Sequence, residues 1–234
     1  MPEASASPGE AAVAADLRDA GGVRDAYGIA LALILLSTFA LIAGHAPLRS
    51  VYAACAALLQ FVALGVTLRV SGVNRRGLRG MAAVALAITA ASLAALMFGG
   101  QRGEVLGIVL WLALTLLTGF SIFHRLRSYR QVNLPLVLGL LCVYLLLGIA
   151  FSLGYLLAER VDPAAFGPAV QNISGTTYFS FITLATVGYG DIAPAGSIVR
   201  ALAVAEAIVG QLYLVSVVSL AVSRLGDRGG QRGV

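Results

Sequence analysis

Six stretches of this chain run for about twenty residues with hardly a charge, and a helix of that length matches the roughly 30 Å hydrocarbon core of a bilayer. They fall at about residues 27–44, 48–69, 80–98, 104–123, 134–158 and 197–222. In hydrocarbon every backbone polar group needs a partner inside the protein, which restricts such stretches to helices. Composition agrees: 59% of the 234 residues are hydrophobic, 12% are charged and the mean hydropathy is +0.90, too apolar for a soluble surface. The chain reads as an all-α membrane protein with six transmembrane helices.

Its 16 basic residues are all arginine, and their placement sets a direction, because arginines in short flanking segments stay on the cytoplasmic side. With the N-terminus inside, Arg18, Arg24, Arg69, Arg75, Arg76, Arg79, Arg125, Arg127, Arg130, Arg224, Arg228 and Arg232 are cytoplasmic. Arg49, Arg102, Arg160 and Arg200 are outside, so both termini are expected in the cytoplasm. Residues 1–25, rich in Ala, Gly, Ser and acids and lacking a basic start, read as a disordered cytoplasmic tail rather than a cleaved signal. A four-helix transmembrane domain follows over 26–130, then a two-span unit over 131–224 and a short cytoplasmic tail over 225–234. Cys55 and Cys142 lie in apolar runs, where a thiol acts as a small hydrophobe, so neither a disulfide nor a metal site is expected. No basic face or motif suggests nucleic acid as a partner; lipid is the expected surrounding.

The loop between the fifth and sixth spans is the exception to short connections. After a polar stretch from Glu159 to Asn172 comes Ile173 to Ala185, apolar but too short to cross, as suits a re-entrant helix. Asn172 or Ser174 is placed to cap its N-terminus, and its negative dipole end then aims into the membrane, where it favours a cation.

Directly after that helix stands Thr186-Val187-Gly188-Tyr189-Gly190-Asp191, and with it residues 134–222 resemble the potassium channel superfamily. The pentapeptide is that family's conduction filter. The resemblance implies carbonyl oxygens turned to a pore axis to replace the water around K+, at Thr186, Val187, Gly188 and Tyr189, with the Thr186 hydroxyl adding the innermost set. Gly188 and Gly190 can take the unusual dihedrals this needs, while Val187 and Tyr189 are expected to pack against the re-entrant helix. One such loop per chain implies a homotetramer. Where some bacterial members have an acid midway along the re-entrant helix this chain has Ile182, so Asp191 needs another partner, for which the Tyr178 hydroxyl is the candidate. Ala185 replaces a second threonine found in many members.

Three residues of the last span stand out. Gly210, nineteen positions after Asp191, is either a hinge at which the inner helix bends or a site of close helix approach. Glu206 should not face lipid; it either hydrogen-bonds the foot of the re-entrant helix, at Thr183 or Ser180, and supports the filter, or acts as a proton sensor. Gln211 lines a cavity or bonds a neighbouring helix. Outside, Glu159 and Asp162 read as solvated loop charges, with enrichment of cations at the mouth as the other reading.

Six spans with the pore last is the layout of voltage-gated members, yet Val105 to Phe123 contains no basic residue, so weak voltage dependence is expected. His124 reads as an interfacial polar residue, with a sensor as the other reading. No catalytic constellation appears, so an enzyme is not expected, and K+ as permeant ion is the only small partner, with no cofactor. The expectation is a potassium-selective channel; the alternative is a less selective cation channel or a non-conducting partner subunit of the same architecture. Arginine without lysine in an Ala- and Gly-rich chain suggests a bacterial inner membrane.

Overall fold

The computed structural model describes residues 8–43, 49–70, 83–91, 100–127, 133–166 and 172–230, together with residues 80, 94, 129 and 170. Its helices are α1 (Pro8–Ala43), α2 (Arg49–Val70), α3 (residues 83–91), α4 (Gly100–Leu126), α5 (Leu134–Val161), α6 (Ile173–Leu184) and α7 (Ser197–Gly230). Among the described residues there is no strand. Four helices are long and apolar enough to cross a bilayer: α1 over Ala26–Ala43, α4 over Arg102–Leu126, α5 over Leu134–Val161 and α7 over Ser197–Val217. The apolar core of α2 is shorter, Ala54–Leu68. Of the expected third span, residues 81–82, 92–93 and 95–98 lie outside the described residues.

Both ends are more helical than their composition suggested. The backbone is helical from Pro8, within the expected disordered tail, because alanine-rich sequence has high helix propensity and proline fits a helix's first turn. Residues 1–7 and 231–234 lie outside the described residues. At the other end no proline interrupts α7, which runs to Gly230 through most of the expected C-terminal tail. Arg125, two residues past the expected fourth span, falls in the last turn of α4, where it suits the negative end of the helix dipole.

Helix α5 is the hub, packing against α1, α4, α6 and α7, while α1 also packs on α2 and α6. Its start is fixed locally: Asn133 caps it by accepting from Leu136 N–H at 3.1 Å, and Pro135 occupies the first turn. The main core joins Tyr27, Ile34 and Leu41 of α1 to Trp111 and Ile122 of α4 and to Leu146, Ile149 and Leu153 of α5. Near the α5 C-terminus, Arg160 Nε meets Glu104 Oε2 of α4 at 3.3 Å. Both partners are partly exposed, so the pair adds little to stability.

A closed polar triangle locks α2 to α4. Trp111 Nε1 donates to Gln60 Oε1 at 2.8 Å, Gln60 Nε2 donates to Thr115 Oγ1 at 2.7 Å, and the Thr115 hydroxyl donates to the Trp111 carbonyl at 2.9 Å. All three side chains are buried, and each donor has one acceptor. Trp111→Phe removes the first bond and strands Gln60 Oε1, so it should destabilise the protein by about 1 kcal/mol. A lowered melting temperature in detergent checks this, with Gln60→Leu in the same background recovering part of the loss.

Candidate functional site

The site is assembled around α6. Twelve residues of helix rise about 18 Å, too little to cross a bilayer. Asn172 caps the N-terminus, its Oδ1 accepting from Gly175 N–H at 2.9 Å. Ser174, the other capping candidate, instead donates to the Ile42 carbonyl at the end of α1 at 2.7 Å. Against α5 the fit depends on Gly148, where an added Cβ would lie 2.7 Å from the Phe181 ring, and on Ser152, whose hydroxyl is 2.8 Å from that of Thr177. The last carbonyl of the helix, on Leu184, accepts from the Tyr144 hydroxyl at 3.1 Å.

After Ala185 the backbone alternates in hand. Thr186 has φ 57°, Gly188 φ 53° and Gly190 φ 80°, while Val187 and Tyr189 between them keep the ordinary sign. In such an alternation successive N–H groups turn to one side and carbonyls to the other. The hydrogen bonds agree, since Val187 N–H and Gly188 N–H both donate to the Ile182 carbonyl of α6, at 2.8 and 3.2 Å. Among the described residues no carbonyl from Thr186 to Gly190 accepts a hydrogen bond. The positive φ of Thr186 was not anticipated; a β-carbon in this region costs on the order of 1 kcal/mol.

Two side-chain expectations divide here. Val187 and Tyr189 are not enclosed against α6 within the chain: they are 50% and 72% exposed. Asp191 lies close enough to the Tyr178 hydroxyl to act on it electrostatically, so the two expected partners are neighbours.

Behind α6, Glu206 of α7 is fully buried. Its Oε1 lies 2.5 Å from the Ser180 hydroxyl, which is also 2.8 Å from the Gly148 carbonyl, and its Oε2 accepts from the Tyr155 hydroxyl at 2.6 Å. Of the two partners expected, Ser180 is the one used. Tyr155 was not foreseen; it stands 51 residues away in the chain, held edge-on against Phe166 and Phe179. At Gly210 an added Cβ would meet Leu184 Cδ1 at 2.7 Å and the Leu184 carbonyl at 3.3 Å, and α7 passes through this position as continuous helix. That favours close approach over a bend in the conformation described. Tyr213, one turn on, packs against Tyr144 and donates to the Leu140 carbonyl, while Gln211 is exposed. Glu159 is 4% exposed, which removes it as a solvated loop charge, and Asp162 folds its own turn by accepting from Ala164 N–H.

Compared with known proteins, residues 138–227 match a family model described as an ion channel. Protein LctB of Bacillus caldotenax is 30% identical over 96 residues, an alignment that spans 38% of this chain and 71% of that relative. No solved structure matches.

Proposed function

The chain belongs to this ion channel family, and from that membership we propose that it is a potassium-selective channel with a filter built from Thr186, Val187, Gly188, Tyr189 and Gly190. The observation that carries the proposal is the alternating backbone of these five residues, which holds N–H groups toward α6 and leaves the carbonyl side unbonded. Carbonyl dipoles on that side replace the hydration shell of a cation, with K+ held at Thr186, Val187, Gly188 and Tyr189. The C-terminal end of α6 adds its negative dipole from below.

One chain supplies one strand of such a ring, so the working unit is a homotetramer. Two features support this. Only 17% of the α7 span is buried within the chain, against 39–44% for the other three spans. Its exposed Val204, Ile208, Leu212 and Val215 form one helical stripe of the kind that neighbouring copies cover, together with Val187 and Tyr189. The protein crosses a bacterial inner membrane six times in this reading, with both termini in the cytoplasm and the two-span pore unit over 131–224 following the four-helix domain. Without a basic residue in α4 between Val105 and Phe123, voltage has little to act on. K+ is cargo, and no cofactor takes part.

Purified protein in liposomes tests this: barium-sensitive K+ flux without Na+ flux is expected. Equal passage of both ions would overturn the selectivity, and passage of neither across a range of pH and voltage would point to a non-conducting subunit.

A further inference from the structure

The buried cluster behind α6 has a proton count that its partners fix. Three oxygen–oxygen contacts join four groups: Tyr155 to Glu206 at 2.6 Å, Glu206 to Ser180 at 2.5 Å, and Ser180 to the Gly148 carbonyl at 2.8 Å. Each contact needs one hydrogen. Tyr155 brings one, Ser180 brings one, and the Gly148 carbonyl has none to give. With Glu206 ionised, two hydrogens serve three contacts, and the single Ser180 hydrogen would be shared between two acceptors.

We infer that Glu206 is a neutral carboxylic acid that donates its own proton to Ser180, and that this proton completes a chain of hydrogen bonds pinning the re-entrant helix to the spans on either side. The direction is then fixed throughout. The Tyr155 hydroxyl donates to Glu206 Oε2, the Glu206 carboxyl donates from Oε1 to Ser180 Oγ, and Ser180 donates to the Gly148 carbonyl. The chain starts and ends on α5, passing through α7 and α6 on the way. Every donor has one acceptor, and bonds aligned in this way strengthen one another.

The surroundings favour the neutral form. Glu206 is fully buried in a span, where a charge without a partner is strongly disfavoured. The titratable groups that face it from α5 are Tyr155 and Tyr144, and α6 presents Ser180. All three are uncharged hydroxyls, and among the described residues no basic side chain acts on it. Ionisation therefore brings no ion pair in compensation and leaves Ser180 one hydrogen short. Ser180 must release either Gly148 or Glu206, six residues before Thr186, and the support behind the filter loosens. The sign follows: the brace is whole while Glu206 holds its proton and is lost as rising pH removes it.

The inference rests on the proposed channel activity only for its effect on conduction, so the test has one arm that needs no flux. Infrared spectra of the full-length protein in lipid, with ordinary and 13C-labelled glutamate, read the carbonyl stretch of a protonated carboxyl group. A label-sensitive band at neutral pH that is missing in Glu206→Gln is expected; its absence from the unaltered protein would overturn the proposal, whether or not ions pass. In the second arm, K+ flux is followed from neutral to alkaline pH. The unaltered channel should lose about tenfold as one buried hydrogen bond is given up. Glu206→Gln, whose amide donates to Ser180 and accepts from Tyr155 at any pH, should keep its flux flat. Identical pH profiles for the two proteins would overturn the link to conduction. Tyr155→Phe, which keeps the acid but removes one donor, should retain the infrared band, so a poorly folding glutamine variant leaves the assignment testable.

Discussion

Aspartate in place of Gly188 should abolish the proposed potassium flux, and alanine there should reduce it by about a thousandfold. The two expectations have different causes. Gly188 sits at φ 53°, where a side chain costs roughly 1 to 2 kcal/mol, and a ring of four copies must hold that conformation together. Even about 4 kcal/mol for the ring lowers the population of the conducting geometry by about three powers of ten. Aspartate adds four carboxylates beside the ion path and removes what remains. An added Cβ meets nothing within 4 Å in its own chain, so the loss belongs to the backbone and not to folding. Liposome flux measures it, with tetramer content by size-exclusion chromatography as the control. A Gly188→Ala protein that conducts normally would show that the alternating backbone is not the conducting form.

Gly210 offers the second large effect, and its sign separates two physical roles. If the glycine serves only as a point of bending, alanine stiffens the helix and stabilises each subunit by up to about 1 kcal/mol. The contact with Leu184 demands the opposite. A methyl group 2.7 Å from Leu184 Cδ1 and 3.3 Å from its carbonyl has to displace the last residue of α6, which is itself buried and bonded to Tyr144. Overpacking of this kind costs about 1 to 3 kcal/mol, and Gly210→Val should lie at the upper end. A lower melting temperature for Gly210→Ala than for the unaltered protein is the expected result. A higher one would return the hinge to first place. Because Leu184 leads directly into the strand proposed as the filter, the valine protein should also lose most of its flux.

Much of the site was legible because its parts lie close together in the chain. The helix from Ile173, its Asn172 cap, the loop from Thr186 and the nearness of Tyr178 to Asp191 all fall within twenty residues of one another. Glu206 was legible for another reason, since a carboxylate in an apolar span needs a partner wherever it is. What escaped notice depends on which helix faces which. Neither hydrophobic periodicity nor spacing brings Tyr155 to Glu206, Tyr144 to Leu184, or Trp111 to Gln60. Gly148 looked like any small residue of a span until Phe181 was seen against it. Thr186 escaped because its positive φ follows from the alternation of the whole strand, and threonine by itself argues against it.

The packing of α1 on α5 and α6 has a consequence for how the protein is made. Ile42 of α1 accepts its hydrogen bond from Ser174, a residue synthesised 132 positions later. Cys142 of α5 likewise reaches back to the Tyr27 carbonyl across 115 positions. At a synthesis rate of about 5 to 20 residues per second, α1 waits about 7 to 26 seconds in the bilayer with that face covered only by lipid or by the insertion machinery. Of the helices described, the earliest made is therefore among the last to complete its contacts.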